Sequence, residues 1–351
     1  MIGDFAEAII AWQKSYGRHD LPWQNTHDPY AIWVSEIMLQ QTQVAAVINY
    51  YAKFMLRFPT IAALANASQE EVLQSWSGLG YYSRARNLHH AAQKIMGEFA
   101  GVFPTQFEDI LSLSGIGRST AAAISTFALN APQPILDGNV KRVFARHFNI
   151  SGWPSLPKIE RQLWQIADRE NPSLEAIAYT QGLMDLGATL CTRTKPNCAA
   201  CPVNASCVAL TSNLIGLLPT PKARKIIPEK STTMLVYMNG DEVMLEKRPP
   251  VGIWGGLWSF PEVNDLLINA LPLNKLTHKF THFKLHITPQ LVYANIMIPQ
   301  VNEAGKIWLS IDDAIGAAIP TPIRKILLQL KALRHQIALE KLSIKTRLSA
   351  D

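Results

Sequence analysis

Leu111-Ser112-Leu113-Ser114-Gly115-Ile116-Gly117-Arg118-Ser119-Thr120-Ala121-Ala122-Ala123-Ile124 sets two glycines one residue apart between two apolar helical segments. Backbone N–H groups without helical partners collect at the start of the second segment, a geometry that grips a phosphate. A dinucleotide site would need a preceding strand and a third glycine, and this stretch has neither. A helix-hairpin-helix holding a DNA backbone (110–127) satisfies the spacing, and so does a plain helical turn. The surrounding sequence must decide between them.

Outward from the hairpin, the first 210 residues read as helix after helix, separated by short Gly, Pro, Ser and Asn turns. Asp28-Pro29 places an N-cap before a proline at the first helical position and predicts one long helix to about Ala52. Phe58-Pro59-Thr60, Phe103-Pro104-Thr105 and Asn171-Pro172-Ser173 are similar starts. A Pro-containing basic stretch then marks a linker, 213–230. Beyond it the pattern turns to strands: Thr232–Met238 and Val243–Lys247 around an Asn239-Gly240-Asp241 turn, then Phe280–Ile287 and Leu291–Ile298. A helix follows over Ile323–Leu333. The fold class predicted is multidomain, with an all-α domain at 1–212 and an α+β domain at 231–351.

With 351 residues, 48% hydrophobic and 17% charged, the composition excludes a disordered chain and favours two cores over one. No apolar run approaches the ~20 residues that span a bilayer. The first residues carry acid where a signal peptide carries base, so a cytoplasmic protein is expected. The net charge of +6 falls wholly after residue 220, since residues 1–220 sum to zero. Such a run is usually a solvated face, so a nucleic-acid argument has to rest on local sites.

Two carboxylates stand out by isolation. Between Pro29 and Ala52 the one charged residue is Glu36, among Trp33, Val34, Ile37, Met38 and Leu39. Desolvation would raise its pKa, and a carboxylic acid protonated near neutrality can act as a general acid. A structural glutamate bonded to buried backbone or arginine is the plainer alternative. From Ser119 to Val140 the one charged residue is Asp137, placed before Gly138 as a helix N-cap would be. Its functional alternative is a carboxylate facing a cationic transition state, its pKa held low by the helix terminus.

Cys191-x6-Cys198-x2-Cys201-x5-Cys207 puts four thiols in seventeen residues, with no other cysteine in the chain. Clustered in this way they imply a metal centre. Structural zinc is one reading. The wide outer gaps around a lone CxxC suit a cubane iron–sulfur cluster better. Arg193 and Lys195 in the first gap could meet phosphates.

These features together resemble the helix-hairpin-helix DNA glycosylase superfamily that carries a [4Fe–4S] cluster. Three further strings sharpen the likeness to the MutY-type adenine DNA glycosylases: Leu21-Pro22-Trp23, Trp33 to Val44 (WVSEIMLQQTQV), and Gly78 to Leu88 (GLGYYSRARNL). Met184-Asp185-Leu186-Gly187-Ala188, leading into Cys191, belongs to the same pattern. The resemblance spans residues 5–210. It implies a base-excision-repair enzyme that flips out adenine mispaired with 8-oxoguanine or guanine and hydrolyses its N-glycosidic bond.

By that resemblance Glu36 would protonate adenine N7. Asp137 would stabilise the oxocarbenium-like sugar, with a transient covalent adduct as one course. Leu21, Trp23 and Gln181 would line the base pocket. Gln41 and Tyr81 would fill the gap in the stack, with Gly115, Gly117 and Ser119 on the DNA backbone. Cys191, Cys198, Cys201 and Cys207 would hold one [4Fe–4S] cluster. In lyase relatives a lysine occupies the position of Ser119; here there is no amine, which implies a monofunctional enzyme. Lys141 is the remaining candidate for any trapped adduct. Ser114 stands where the hairpin often has proline, a departure that bears on loop rigidity.

The second domain resembles the Nudix-like domain of the same enzymes. Gly256-x5-Glu262 opens a Nudix box, but Ala270-Leu271-Pro272-Leu273-Asn274-Lys275 stands where its carboxylates should follow. The resemblance implies an 8-oxoguanine reader in which Phe280-Thr281-His282 contacts the base; a strand-end His–Thr pair with no ligand is the alternative. Competing readings of the chain are another cluster-bearing glycosylase, a non-catalytic damage binder and a nucleotide hydrolase. Ser119, the two isolated carboxylates and the broken box count against each in turn. Duplex DNA is the expected partner, with repair proteins at the linker, no membrane and a monomeric state.

Overall fold

The computed structural model describes residues 4–223, 226–268, 270–293 and 305–348, the last helix by its backbone alone from residue 335. The chain divides into two compact units, one of residues 1–66 and 87–224, the other of 67–86 and 225–351. Sequence reading placed a contiguous domain at 1–212. The structure instead assigns Ala67–Arg86 to the unit that contains the sheet.

In the first unit α1 (Asp4–Tyr16), α2 (Pro29–Leu39), α3 (Val44–Arg57) and α4 (Ile61–Asn66) come first. The 67–86 segment contributes α5 (Gln69–Ser75) to the second unit and leads into α6 (Ser83–Glu98). Then follow α7 (Phe107–Leu111), α8 (Arg118–Leu129), α9 (Gly138–His147), α10 (Pro157–Glu170) and α11 (Ala176–Asp185). A wide π turn over Leu186–Leu190 delivers the chain to the cysteines, and α12 (Val208–Thr211) closes the run.

Asp28 caps α2 as the sequence predicts, its carboxylate accepting from the Tyr30 N–H at 3.0 Å. The long helix to Ala52 does not form. It ends at Leu39, Gln41 turns into the left-handed region (φ 57°), and α3 starts at Val44. Gln40-Gln41-Thr42-Gln43 has no apolar side chain to bury, and the Gln40 amide instead donates to the Gly115 carbonyl and Thr120 hydroxyl of the hairpin. Tertiary partners override helix propensity there.

The core of this unit gathers Ile9, Phe144, Leu163, Tyr179, Leu183 and Leu186 from α1, α9, α10, α11 and the π turn. On α2, Trp33, Val34, Ile37 and Met38 are sealed from solvent. Each such side chain contributes roughly 1.5–3 kcal/mol on burial, which fixes the orientation of Glu36 on the same helix.

The second unit is built on an antiparallel-rich sheet in the order β3 (Trp258–Ser259), β2 (Glu242–Lys247), β1 (Glu229–Asn239), β7 (Lys284–Tyr293), β5 (Leu271–Pro272). Strands β1 and β7 pair in parallel, Leu235 opposite Gln290. Strands β4 (Glu262–Val263), β6 (Leu276–Lys279) and β8 (Lys306–Ser310) attach to β1, β7 and β2. Helices α13 (Ile311–Gly316) and α14 (Thr321–Leu348) follow. The Asn239-Gly240-Asp241 hairpin forms, with Met238 opposite Val243. The strand predicted at Phe280–Ile287 starts at Lys284 instead. Phe280 N–H bonds the Phe283 carbonyl at 2.9 Å and their rings stack at 4.5 Å, closing a turn that aromatic residues disguise as strand. Of Leu291–Ile298, residues 291–293 end β7, and 294–298 lie outside the described residues. No helix among the described residues is long and apolar enough to cross a membrane.

Candidate functional site

Helix α2 and the N-terminus of α9 bring Glu36 and Asp137 to one cavity, shared with Gln41, Ser119, Asn139, Arg142 and Met184. Glu36 also borders an adjoining pocket lined by Arg18, Leu21, Trp23, Gln24 and Gln181. Leu21 and Trp23 are buried, with Trp23 edge-on to Tyr51 at 5.4 Å. The structure therefore assembles both isolated carboxylates and all three residues expected to line a base pocket.

Both carboxyls line the cavity and are half-buried. Burial, then the Asp137 charge, push Glu36 up to about 8, so it is protonated at neutral pH. Asp137 accepts from the Val140 N–H at 2.7 Å as the cap of α9. Its pKa nevertheless goes up, contrary to the expectation that the helix terminus would hold it low. Desolvation outweighs the N–H groups of Val140 and Asn139 and the charges of Arg142 and Lys141, which act the other way. Those backbone donors still mark Asp137 as the carboxylate built to carry charge.

The hairpin meets its sequence signature. Gly115 has φ +83° and a Cβ there would sit 2.9 Å from Asn87 Cβ, so glycine is required twice over. Gly117 caps α8 without a side-chain bond. Ser114, standing where the hairpin often has proline, is tied by His90 at 2.8 Å. The Ser119 hydroxyl accepts from the Leu136 N–H at 3.1 Å and so braces the segment that ends in Asp137. Lys141 is held by Glu160 at 2.6 Å.

Cys191, Cys198, Cys201 and Cys207 line a small apolar cavity with Leu190, Leu210 and Ile215. All four are free thiols. Burial first, then neighbouring thiols, push Cys201 up to about 11 and also raise Cys207, the penalty of gathering thiols in a dry site. Among the described residues no three Cys, His, Asp or Glu side chains are placed to hold a single ion. Four thiol side chains around one apolar cavity are a donor set that fits a thiolate-ligated metal group. Two arginines four residues apart brace the loop. Arg142 donates to the carbonyls of Cys191 (2.7 Å) and Gly187 (2.6 Å) and to Asn139 Oδ1 (2.9 Å). Arg146, buried, donates to the carbonyls of Thr192, Arg193 and Leu218.

In the second unit Tyr81, Thr281 and His282 line one pocket with Arg86, Trp254, His278 and Phe280. The Tyr81 and Thr281 hydroxyls lie 3.4 Å apart. Tyr81 is half exposed, and Arg84 packs against its ring and that of Trp76. Gln41 belongs to the first unit's cavity. The Nudix-box residue Glu262 is taken up by Arg248. Sequence reading missed Arg18, Asn139, Arg142, Arg146 and Asp185 as site residues. Asp185 could have been found by the criterion that found Glu36, a lone carboxylate among Leu183, Met184 and Leu186.

Residues 34–169 match the HhH-GPD superfamily of base excision DNA repair proteins, and residues 232–329 match the NUDIX domain. The chain is 38% identical to the adenine DNA glycosylase of Buchnera aphidicola subsp. Acyrthosiphon pisum, over 92% of this chain and 96% of that one. It is 32% identical to the human adenine DNA glycosylase, over 92% and 73%. A solved thermostable thymine-DNA glycosylase superposes with TM-score 0.55 at 28% identity, covering 59% of this chain and 95% of that one. An endonuclease III–DNA complex shares the fold at TM-score 0.51 and 18% identity. The likeness to the adenine enzymes runs through both units, and the chain belongs to the adenine DNA glycosylase family within the HhH-GPD base excision repair proteins.

Proposed function

We propose that this chain removes adenine paired with 8-oxoguanine or guanine in duplex DNA and leaves an abasic site. The observation that carries the reading is the pairing of Glu36, protonated at neutral pH, with Asp137 in one cavity beside a base-sized pocket. Adenine flipped from the duplex enters between Leu21, Trp23 and Gln181. Glu36 gives its proton to N7, which makes the base a neutral leaving group. The C1′–N9 electrons leave with the base, and the sugar becomes oxocarbenium-like. Asp137, fed by two N–H donors, stabilises that cation; water then adds to C1′ and gives its proton to the Glu36 carboxylate, which restores the acid. With a serine at 119 and Lys141 engaged by Glu160, no lysine lines the cavity among the described residues, which supports base release without strand cleavage.

The hairpin glycines hold the DNA backbone, and Gln41 and Tyr81 fill the stack. Thr281 and His282 read the 8-oxo base. Cys191, Cys198, Cys201 and Cys207 would hold one [4Fe–4S] cluster, which cross-links the loop bearing Arg193 and Lys195. The protein works as a cytoplasmic, DNA-associated monomer, with the linker open to repair partners.

The test is single-turnover base release from duplexes with adenine opposite 8-oxoguanine, guanine or thymine, for wild type and Glu36→Gln. Release from the first two alone, lost in Glu36→Gln with binding retained, is expected. Mispair-selective binding without release would instead make the chain a damage binder.

A further inference from the structure

Arg18, in the lining of the pocket of Leu21, Trp23 and Gln181, pairs with a buried carboxylate that the roles above leave unused. Asp185, the last residue of α11, is 0% exposed. Its carboxylate accepts from the Arg18 backbone N–H (2.9 Å) and Nε (2.8 Å), with Arg18 Nη2 at 2.6 Å. A fourth donor is the Gln181 amide, whose Nε2 lies 2.9 Å from Asp185 Oδ1.

A carboxylate in a guanidinium clamp accepts hydrogen bonds and cannot donate them. The Gln181 atom that faces it must therefore be the NH₂, and the amide is not free to flip. Gln181 Oε1 is the atom left over, in a side chain that lines the pocket. It is an acceptor without a protein donor among the described residues. A purine with a 6-amino group can satisfy it, whereas a 6-oxopurine would oppose oxygen to oxygen and leave both buried acceptors unpaired.

We infer that Asp185, held by Arg18, is a positioning residue that locks the Gln181 amide with its oxygen toward the base, and that this lock makes the pocket reject 6-oxopurines. The inference rests on the reading that the excised base enters this pocket. Asp185 does not line the pocket and acts through Gln181, whereas Arg18 lines it and holds Asp185 in place.

The experiment compares single-turnover release of adenine and of hypoxanthine, each opposite 8-oxoguanine, in the full-length protein. The variants are Asp185→Asn, Asp185→Ala, Gln181→Leu and the double variants. The readout is the ratio of the two rates within each protein, which a loss of folded fraction leaves unchanged. Releasing the amide should lower the adenine preference about tenfold in Asp185→Ala and by less in Asp185→Asn, which keeps an acceptor. In the Gln181→Leu background the Asp185 changes should do nothing further, as required of residues acting through one another. Should Asp185→Ala fail to fold, Asp185→Asn carries the comparison. A preference unchanged in the Asp185 variants but lost in Gln181→Leu overturns the inference and keeps the pocket assignment. A preference untouched by Gln181→Leu overturns both.

Discussion

At the scale of single residues, the site is a contrast between two carboxyls that burial affects alike and hydrogen bonding does not. Glu36 is raised to about 8 from an ordinary value of 4.5. Its protonated form is retained in the folded chain while the unfolded chain ionises, so stability falls as pH rises from about 4.5 to 8. Glu36→Gln removes that penalty. Chemical denaturation at pH 7 should show a gain of about 1–3 kcal/mol, shrinking toward pH 4. Base release in the same variant should fall by about 10²–10⁴-fold. In the wild type it should decline tenfold per pH unit above about 8, where Glu36 ionises. Asp137→Asn keeps the shape of the cap but not its charge, and should cost about 10²–10³-fold in single-turnover rate with DNA affinity retained. Glu36 and Asp137 were legible as lone charges in apolar stretches. The upward shift of Asp137 was not, because a cap is a local feature and desolvation depends on what packs around it.

At the scale of elements, helices and hairpin were readable because periodicity, N-caps and paired glycines are local signals. The break between α2 and α3 was not, since Gln40 leaves the helix for partners 75 and 80 residues away in sequence. The cysteine loop shows the same division. Its thiols are plain in the sequence, but the arginines that hold its backbone sit on α9, some 45 residues earlier. Arg146→Leu strips donors from the carbonyls of Thr192, Arg193 and Leu218. Buried acceptors left unpaired should cost about 2–4 kcal/mol in total, read as a lowered thermal midpoint. Removing the proposed cluster with a chelator should loosen the same loop, and a DNA titration should weaken before base release from bound duplex is affected.

At the scale of the whole molecule, the second unit is not the C-terminal stretch alone. Residues 67–86 belong to it through contacts that no motif announces. Glu70 accepts from Lys247 Nζ (2.8 Å) and Trp258 Nε1 (2.5 Å), and Gln74 and Ser77 donate to the carbonyls of Gly316 and Ile319. Burial raises the Glu70 pKa, but the Lys247 and Trp258 donors and the Lys247 charge outweigh it and lower it overall. That contribution is present above about pH 4.5 and is lost on acidification through the lowered folded value. A chain truncated after residue 224 should therefore expose 67–86, with limited proteolysis cutting there first while α8 and α9 stay protected.

By itself the sequence determined the two fold classes, the two-glycine hairpin, the four-thiol loop and the pair of isolated carboxylates. Each is written in residues close together along the chain. Tertiary structure alone decided that Glu36 and Asp137, a hundred residues apart, share a cavity, and that Tyr81 stands beside Thr281. It also decided that Asp185 turns the Gln181 amide. Burial and long-range hydrogen bonds set pKa values and amide orientation, and neither exists until the chain has packed.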